Sequence, residues 1–212
     1  MKLWHCGGAR SLRPLWTLEE MGLEYELEVL PFPPRVMQPD FLQVNSLGTV
    51  PFFVDGTTEM TESAAICQYL VDRYPERAAD LALRPQDREY GAYLNWLHHS
   101  DATLTFPQTI ALRYYHFEQD PAKRAVADDY ARWFRARLRR LDERVATHDY
   151  LVADRFTVAD IAVGYALFLG SILHLDKYYQ PATRAYLERL LVRPAFQRAN
   201  AHAEPLVLPD VV

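Results

Sequence analysis

Residues 45–69 read NSLGTVPFFVDGTTEMTESAAICQY, and this stretch decides the fold. Val50-Pro51 is a candidate cis peptide, a geometry that only proline makes cheap. A cis bond there would turn the N–H and C=O of Val50 outward, to pair with an extended ligand as an added strand does. Asp55-Gly56, flanked by PFFV and TTEM, is a strong hairpin signal. Glu62 and Ser63 then open an apolar helix, whose free N–H groups suit a carboxylate. The Glu62 carboxylate suits an amine beside it. Together these groups fit a ligand with an amino-acid head and a peptide tail.

Upstream, residues 2–6 read as a short strand and LRPLWTLEEM as a helix with Ser11 before it. Pro14 falls in the first turn of that helix and Gly22 stops it. Residues 25–30 alternate as a half-buried strand does, and residues 39–43 suit one helical turn. After the hairpin comes a helix with Ile66, Tyr69, Leu70 and Tyr74 on one face. This order of elements predicts an α/β thioredoxin-like layer over residues 1–76.

The stretch 75–85, bounded by prolines, reads as a linker, and the division between domains is placed at 77–86. Beyond them no strand pattern appears, which predicts an all-α helical domain over 87–212. Residues 87–103 are expected helical, with Tyr90, Tyr93, Leu94 and Leu97 near one face, and Pro107 should bend or interrupt the helix that continues toward His116. Residues 121–146 are expected as one helix with Tyr130, Trp133, Leu138, Leu141 and Val145 inward. Thr157 and Asp160 form a capping-box-like start to a helix apolar on nearly every face. Two shorter helices should follow, near 181–191 and 194–202.

Half of the 212 residues are hydrophobic, enough for a proper core, and a net charge of -5 argues against a general nucleic-acid binder. The longest apolar run, 161–170, is too short to span a bilayer, and MKLWHC lacks the apolar core of a secretory signal. A cytoplasmic protein is the expectation, with Cys6 and Cys67 reduced rather than bridged. The arginines of residues 132–144 share their helix with Asp128, Asp142 and Glu143, which reads as a solvated face. His98 and His99 are adjacent and so diverge on a helix, and no metal site is expected.

RSLRPLWTLEEMGLEYE, NSLGTVPFF, TESAAICQYLVDRY and RFTVADIAVG, in that order, resemble the glutathione S-transferase superfamily over the whole chain. The N-terminus is nearest to bacterial beta-like and Ser-type members. The resemblance implies a thioredoxin-like domain, a helical domain contributing the pocket for an electrophile, and a homodimer. It implies that Glu62 and Ser63 hold the γ-glutamyl head of glutathione, that Val50 pairs with the cysteinyl backbone, and that Pro51 fixes that geometry. The glycyl carboxylate would fall to Arg35 or Gln38, near Thr49. Ser11 stands where many relatives carry a catalytic Ser or Cys. Arg10 stands where the beta class carries a Cys that forms a mixed disulfide with glutathione, and Arg10 can instead stabilise a thiolate electrostatically. Ala9, Leu12, Ala102, Thr103, Phe106, Tyr114 and Tyr115 would line a mostly apolar electrophile pocket.

The leading expectation is therefore a glutathione transferase acting on a hydrophobic electrophile. Glutathione-dependent reduction of disulfides or peroxides is an alternative, because a bound glutathione thiolate needs no protein Cys to attack a disulfide. A non-catalytic binding protein is a third.

Overall fold

Four strands form a mixed sheet in the order β2-β1-β3-β4: β1 (Lys2–His5), β2 (Glu26–Val29), β3 (Phe52–Asp55) and β4 (Thr58–Met60). They belong to a computed structural model that describes residues 1–78, 80–118 and 120–208. Position 79 of the expected linker, and positions 119 and 209–212 of the expected helical domain, lie outside the described residues. β1 runs parallel to β2 and antiparallel to β3, with Leu3 opposite both Leu27 and Phe53. The Asp55-Gly56 turn closes β3 onto β4 as expected, and Gly56 takes a φ of +60°. Side chains alternate across a strand, so Leu3 and Phe53 form one buried face. Trp4, Cys6 and Phe52 form the other, packed with Leu30 and Phe41.

Helices α1 (Leu12–Met21) and α3 (Ser63–Arg73) pack against each other, with Leu15, Trp16, Leu18, Ile66 and Leu70 wholly buried. Between them in sequence lie the short α2 (Pro34–Met37) and a 3-10 turn at Pro39–Gln43. Gly22 ends α1 in the left-handed conformation, as its lack of Cβ permits. The stretch read as a linker starts with one helical turn, α4 (Pro75–Ala78), and Leu81, Ala82 and Leu83 are buried. It is packed chain rather than a free connector.

The chain forms two compact units. The first comprises Met1–Ala82 and Val192–Leu206, and the second is built from Leu83–Leu191. The first unit thus takes back α11 (Pro194–Ala201), which packs on α1. Phe196 meets Trp16 edge-on at 4.9 Å, and Arg193 binds both oxygens of Glu20 at 2.6 and 2.9 Å. Nothing in the sequence of α11 itself marks that return.

The second unit holds α5 (Tyr90–His99), α6 (Phe106–Leu112), α7 (Arg124–Arg137), α8 (Arg139–Val145), α9 (Val158–Ile172) and α10 (Pro181–Leu191). Its centre is α9, buried along most of its length. Burying each Leu or Ile side chain there contributes roughly 2 kcal/mol. Three expectations need correction. Pro107 sits in the first turn of α6, and the irregularity lies before it, as a π-helical Ser100–Thr105. A proline cannot donate to the carbonyl four residues back, and a wider turn accommodates that loss. Residues 121–146 form a 3-10 turn, α7 and α8, with the break at Leu138. Trp133 is 37% exposed and Tyr130 is half-buried; the inward face of α7 is Ala127, Ala131 and Phe134.

Candidate functional site

The first turn of α3 carries a buried hydroxyl beside an exposed carboxylate. Glu62 is the residue at which α3 starts; it is extended, solvent-exposed, and makes no side-chain cap bond. Ser63 is buried, and its Oγ accepts a 3.0 Å hydrogen bond from Nη1 of Arg13 on α1. Arg13 is itself wholly buried, an unusual place for an arginine. Thr17, one turn further along α1, donates its hydroxyl to the Arg13 carbonyl at 3.0 Å. Cys67 lies one turn along α3 from Ser63; burial pushes its thiol up to about 11, while Thr17 and the Arg13 charge pull the other way. The sequence marked Glu62 and Ser63 but not Arg13, whose partner stands 50 residues away.

The loop leading into β3 presents backbone. Val50-Pro51 is cis, as the sequence suggested, and Phe32-Pro33 is a second cis bond that it did not. Asn45 is buried and clamps the loop: Nδ2 donates to the Thr49 carbonyl at 2.8 Å, and Oδ1 accepts from Leu47 N–H at 3.2 Å. Gly48 has a φ of +59°, and a Cβ there would stand 2.7 Å from the Cβ of Arg35. Glycine is therefore required twice over, by conformation and by space. The same contact places Arg35 against this loop. Thr49 is exposed and Val50 half-buried. Gln38, half-buried, ends α2.

The turn between β1 and α1 closes on itself through Ala9 N–H to the Cys6 carbonyl and Arg13 N–H to the Arg10 carbonyl. Arg10 is half-buried. Ser11 was expected to offer its hydroxyl to a ligand thiol, but it faces inward and is wholly buried. Its Oγ accepts from Cys6 N–H at 3.3 Å and pairs with His5 Nδ1 at 2.9 Å. It does not cap α1 either. Burial, helped by the nearby His202, lowers the His5 pKa to about 4, so the imidazole is neutral at pH 7. Burial raises the Cys6 thiol to about 12, which keeps it protonated and unreactive.

Of the residues expected to line an electrophile pocket, Ala9 and Leu12 are buried in the first unit. In the second unit Ala102 is exposed, Thr103 half-buried and Phe106 45% exposed, its ring among Tyr130 and Trp133. Tyr114 and Tyr115 border a cleft of about 460 Å³ that also takes in Glu118, Asp120, Pro121 and Arg124. That cleft is thus bordered by two tyrosines, a proline and three charged side chains. Tyr115 donates its hydroxyl to Asp128 at 2.8 Å. Among the described residues, no group of three or more His, Cys, Asp or Glu side chains suits a metal ion, and no helix is long and apolar enough to cross a membrane.

Comparison with known proteins places these features in a family. Residues 1–72 match the glutathione S-transferase N-terminal domain, and residues 107–194 match the C-terminal domain. Protein LigF of Sphingobium sp. is 30% identical, over 93% of this chain and 91% of its own length. The probable glutathione S-transferase GSTF1 of rice, Oryza sativa subsp. japonica, is 31% identical over 91% of each chain. A sphingomonad glutathione S-transferase solved in complex with glutathione is 27% identical, with a TM-score of 0.80 over 95% of this chain and 98% of that one.

Proposed function

Because the chain belongs to the glutathione S-transferase family, we propose that it binds glutathione and presents the thiol as a thiolate to a hydrophobic electrophile. The observation that carries this reading is the pair at the start of α3, an exposed Glu62 carboxylate beside the buried Ser63 hydroxyl. Ser63 takes the α-carboxylate of the γ-glutamyl head, together with N–H groups of the first turn of α3. Glu62 takes the ammonium. The backbone of Val50, in the loop clamped by Asn45, pairs with the cysteinyl residue, and Arg35 or Gln38, near Thr49, takes the glycyl carboxylate. A free thiol is mostly protonated at neutral pH, so the site needs positive potential near sulfur. In this reading Arg10 supplies it, and Ser11 fixes the shape of the turn that carries Arg10. Assembly as a homodimer belongs to the same proposal.

The redox alternative is narrowed by the two cysteines. Both are wholly buried, with thiols raised to about 12 and about 11. A disulfide reduction would therefore run on glutathione thiols alone. Calorimetric titration of glutathione into the wild type and Glu62→Ala tests the reading. Binding by the wild type, weakened roughly tenfold or more in the variant, is expected from the loss of a charge-assisted contact. A wild type that shows no saturable heat of binding with glutathione overturns it.

A further inference from the structure

An arginine is rarely fully buried, yet Arg13 is wholly buried and aims one guanidinium N–H at Ser63. Nη1 donates to Ser63 Oγ at 3.0 Å. A hydroxyl has one proton to give and two lone pairs to receive with. With a lone pair engaged by Arg13, the Ser63 proton is directed away from the guanidinium. No acceptor for that proton is found among the described residues. Ser63 thus stands as an oriented donor at the first turn of α3, backed by a positive charge that is itself out of solvent. The hydroxyl of Thr17 on the Arg13 carbonyl ties that stretch of α1 together.

We propose that Arg13 is a positioning residue for the γ-glutamyl carboxylate, acting through Ser63. The inference rests on the glutathione reading above and adds to it which group discriminates the head of the ligand. Arg13 does not touch the ligand, because it has no exposed surface. It holds the Ser63 oxygen in place, polarises its O–H bond and lends positive potential to the pocket that receives the carboxylate. A hydrogen bond strengthened by a charge is about twice as strong as a neutral one. The contribution is specific: it favours ligands that carry this carboxylate and does little for those that lack it.

The test compares two ligands by calorimetry on wild type, Arg13→Met, Ser63→Ala and the double variant. One is glutathione. The other is 4-aminobutanoyl-cysteinylglycine, which is glutathione without its γ-glutamyl carboxylate and with its ammonium kept. Arg13→Met should weaken glutathione binding roughly 10–100-fold while the second ligand changes less than about threefold. Ser63→Ala should collapse the same preference, and the double variant should lose little more than either single one, because both act on one hydrogen bond. Equal weakening of both ligands in Arg13→Met would mean that Arg13 merely braces α1 on α3, and would overturn the proposal. Should Arg13→Met fail to fold, Ser63→Ala decides alone: an undiminished preference for the carboxylate overturns the proposal. A wild type that binds glutathione and its analogue equally also overturns it, and a wild type that binds neither removes the glutathione reading itself.

Discussion

Each unit of the protein buries a polar centre, and the two are built on opposite plans. In the second unit Asp160 accepts from Leu151 N–H at 3.0 Å, Thr157 N–H at 2.8 Å, Thr157 Oγ1 at 3.1 Å and the Tyr186 hydroxyl at 2.9 Å. Both carboxylate oxygens are spent, and the residue is wholly buried. In the first unit the buried groups come in pairs, His5 with Ser11 and Arg13 with Ser63, at the starts of α1 and α3. The Asp160 centre is closed and can only stabilise. The Arg13–Ser63 pair keeps a donor in hand at the edge of the exposed Glu62. A saturated network holds a fold, and a network with an unspent donor is where a ligand can complete it.

The largest expected effect breaks the closed centre. Asp160→Ala strands two backbone N–H groups and a tyrosine hydroxyl in the core, and should cost about 4 kcal/mol in denaturant unfolding. Asp160→Asn keeps one acceptor oxygen and should cost about half as much. A loss under about 1 kcal/mol for Asp160→Ala would mean that the centre relaxes or admits water, and the contrast between the two units would fail.

Acid should separate the two units next, because protonation charges the buried His5 and neutralises the buried Asp160. His5 is held down from 6.5 to about 4, so the unfolded chain takes up a proton over that window while the native one does not. Its contribution is complete above pH 6.5 and is lost as pH falls toward 4, by about 3 kcal/mol. Asp160 is raised from 3.8 to about 6, chiefly by burial, which outweighs its hydrogen bonds. There the native state takes up the proton first, so stability is gained as pH falls from 6 to 3.8. Unfolding of His5→Asn and Asp160→Asn against the wild type at a series of pH values separates the terms. The His5 difference should shrink with acid and the Asp160 difference should grow. Parallel curves would show that neither group titrates as placed.

Gly48→Ala sharpens the comparison from the ligand side. The variant must bear a φ of +59° and a Cβ 2.7 Å from the Cβ of Arg35 and 2.8 Å from Cδ2 of Leu42. Leu42 can swing aside, but the Arg35 Cβ moves only with its backbone. A cost of about 2 kcal/mol is expected, together with weaker glutathione binding, since the loop carries Thr49 and Val50. Weaker stability with unchanged binding would detach this loop from the proposed site.

What was legible in the sequence divides along the same line. The Asp160 centre is mostly local: Thr157 and Asp160 stand three residues apart, and the spacing announced the capping box. The Asp55-Gly56 hairpin, the cis Val50-Pro51 bond and the Glu62-Ser63 helix start were legible for the same reason. Arg13 with Ser63, Tyr186 with Asp160 and α11 with α1 join residues far apart in sequence, and no local period encodes such pairs. Trp133 misled because an aromatic residue at helical spacing reads as core, whereas the small Ala127 and Ala131 face inward. The π-helical turn at Ser100–Thr105 was invisible for a like reason: it answers the missing N–H of Pro107 through a wider turn, and composition does not mark where that turn falls.

The smallest expected effect concerns Ser11, and it decides which residue serves the thiol. Its hydroxyl is the acceptor for Cys6 N–H and the partner of His5 Nδ1. Ser11→Ala should therefore destabilise by about 1 kcal/mol, and should alter the acid response of His5 because the imidazole loses its hydrogen-bond partner. If Ser11 only shapes the turn, kcat with an aryl halide should fall less than about tenfold, far short of the 10²–10³ expected, at order of magnitude, when a donor to the reacting atom is removed. Arg10→Ala should then cost more than Ser11→Ala in the same assay. The reverse ranking, with a loss of order 10² for Ser11→Ala, would require the serine to turn outward when glutathione binds, and would return the donor role to it.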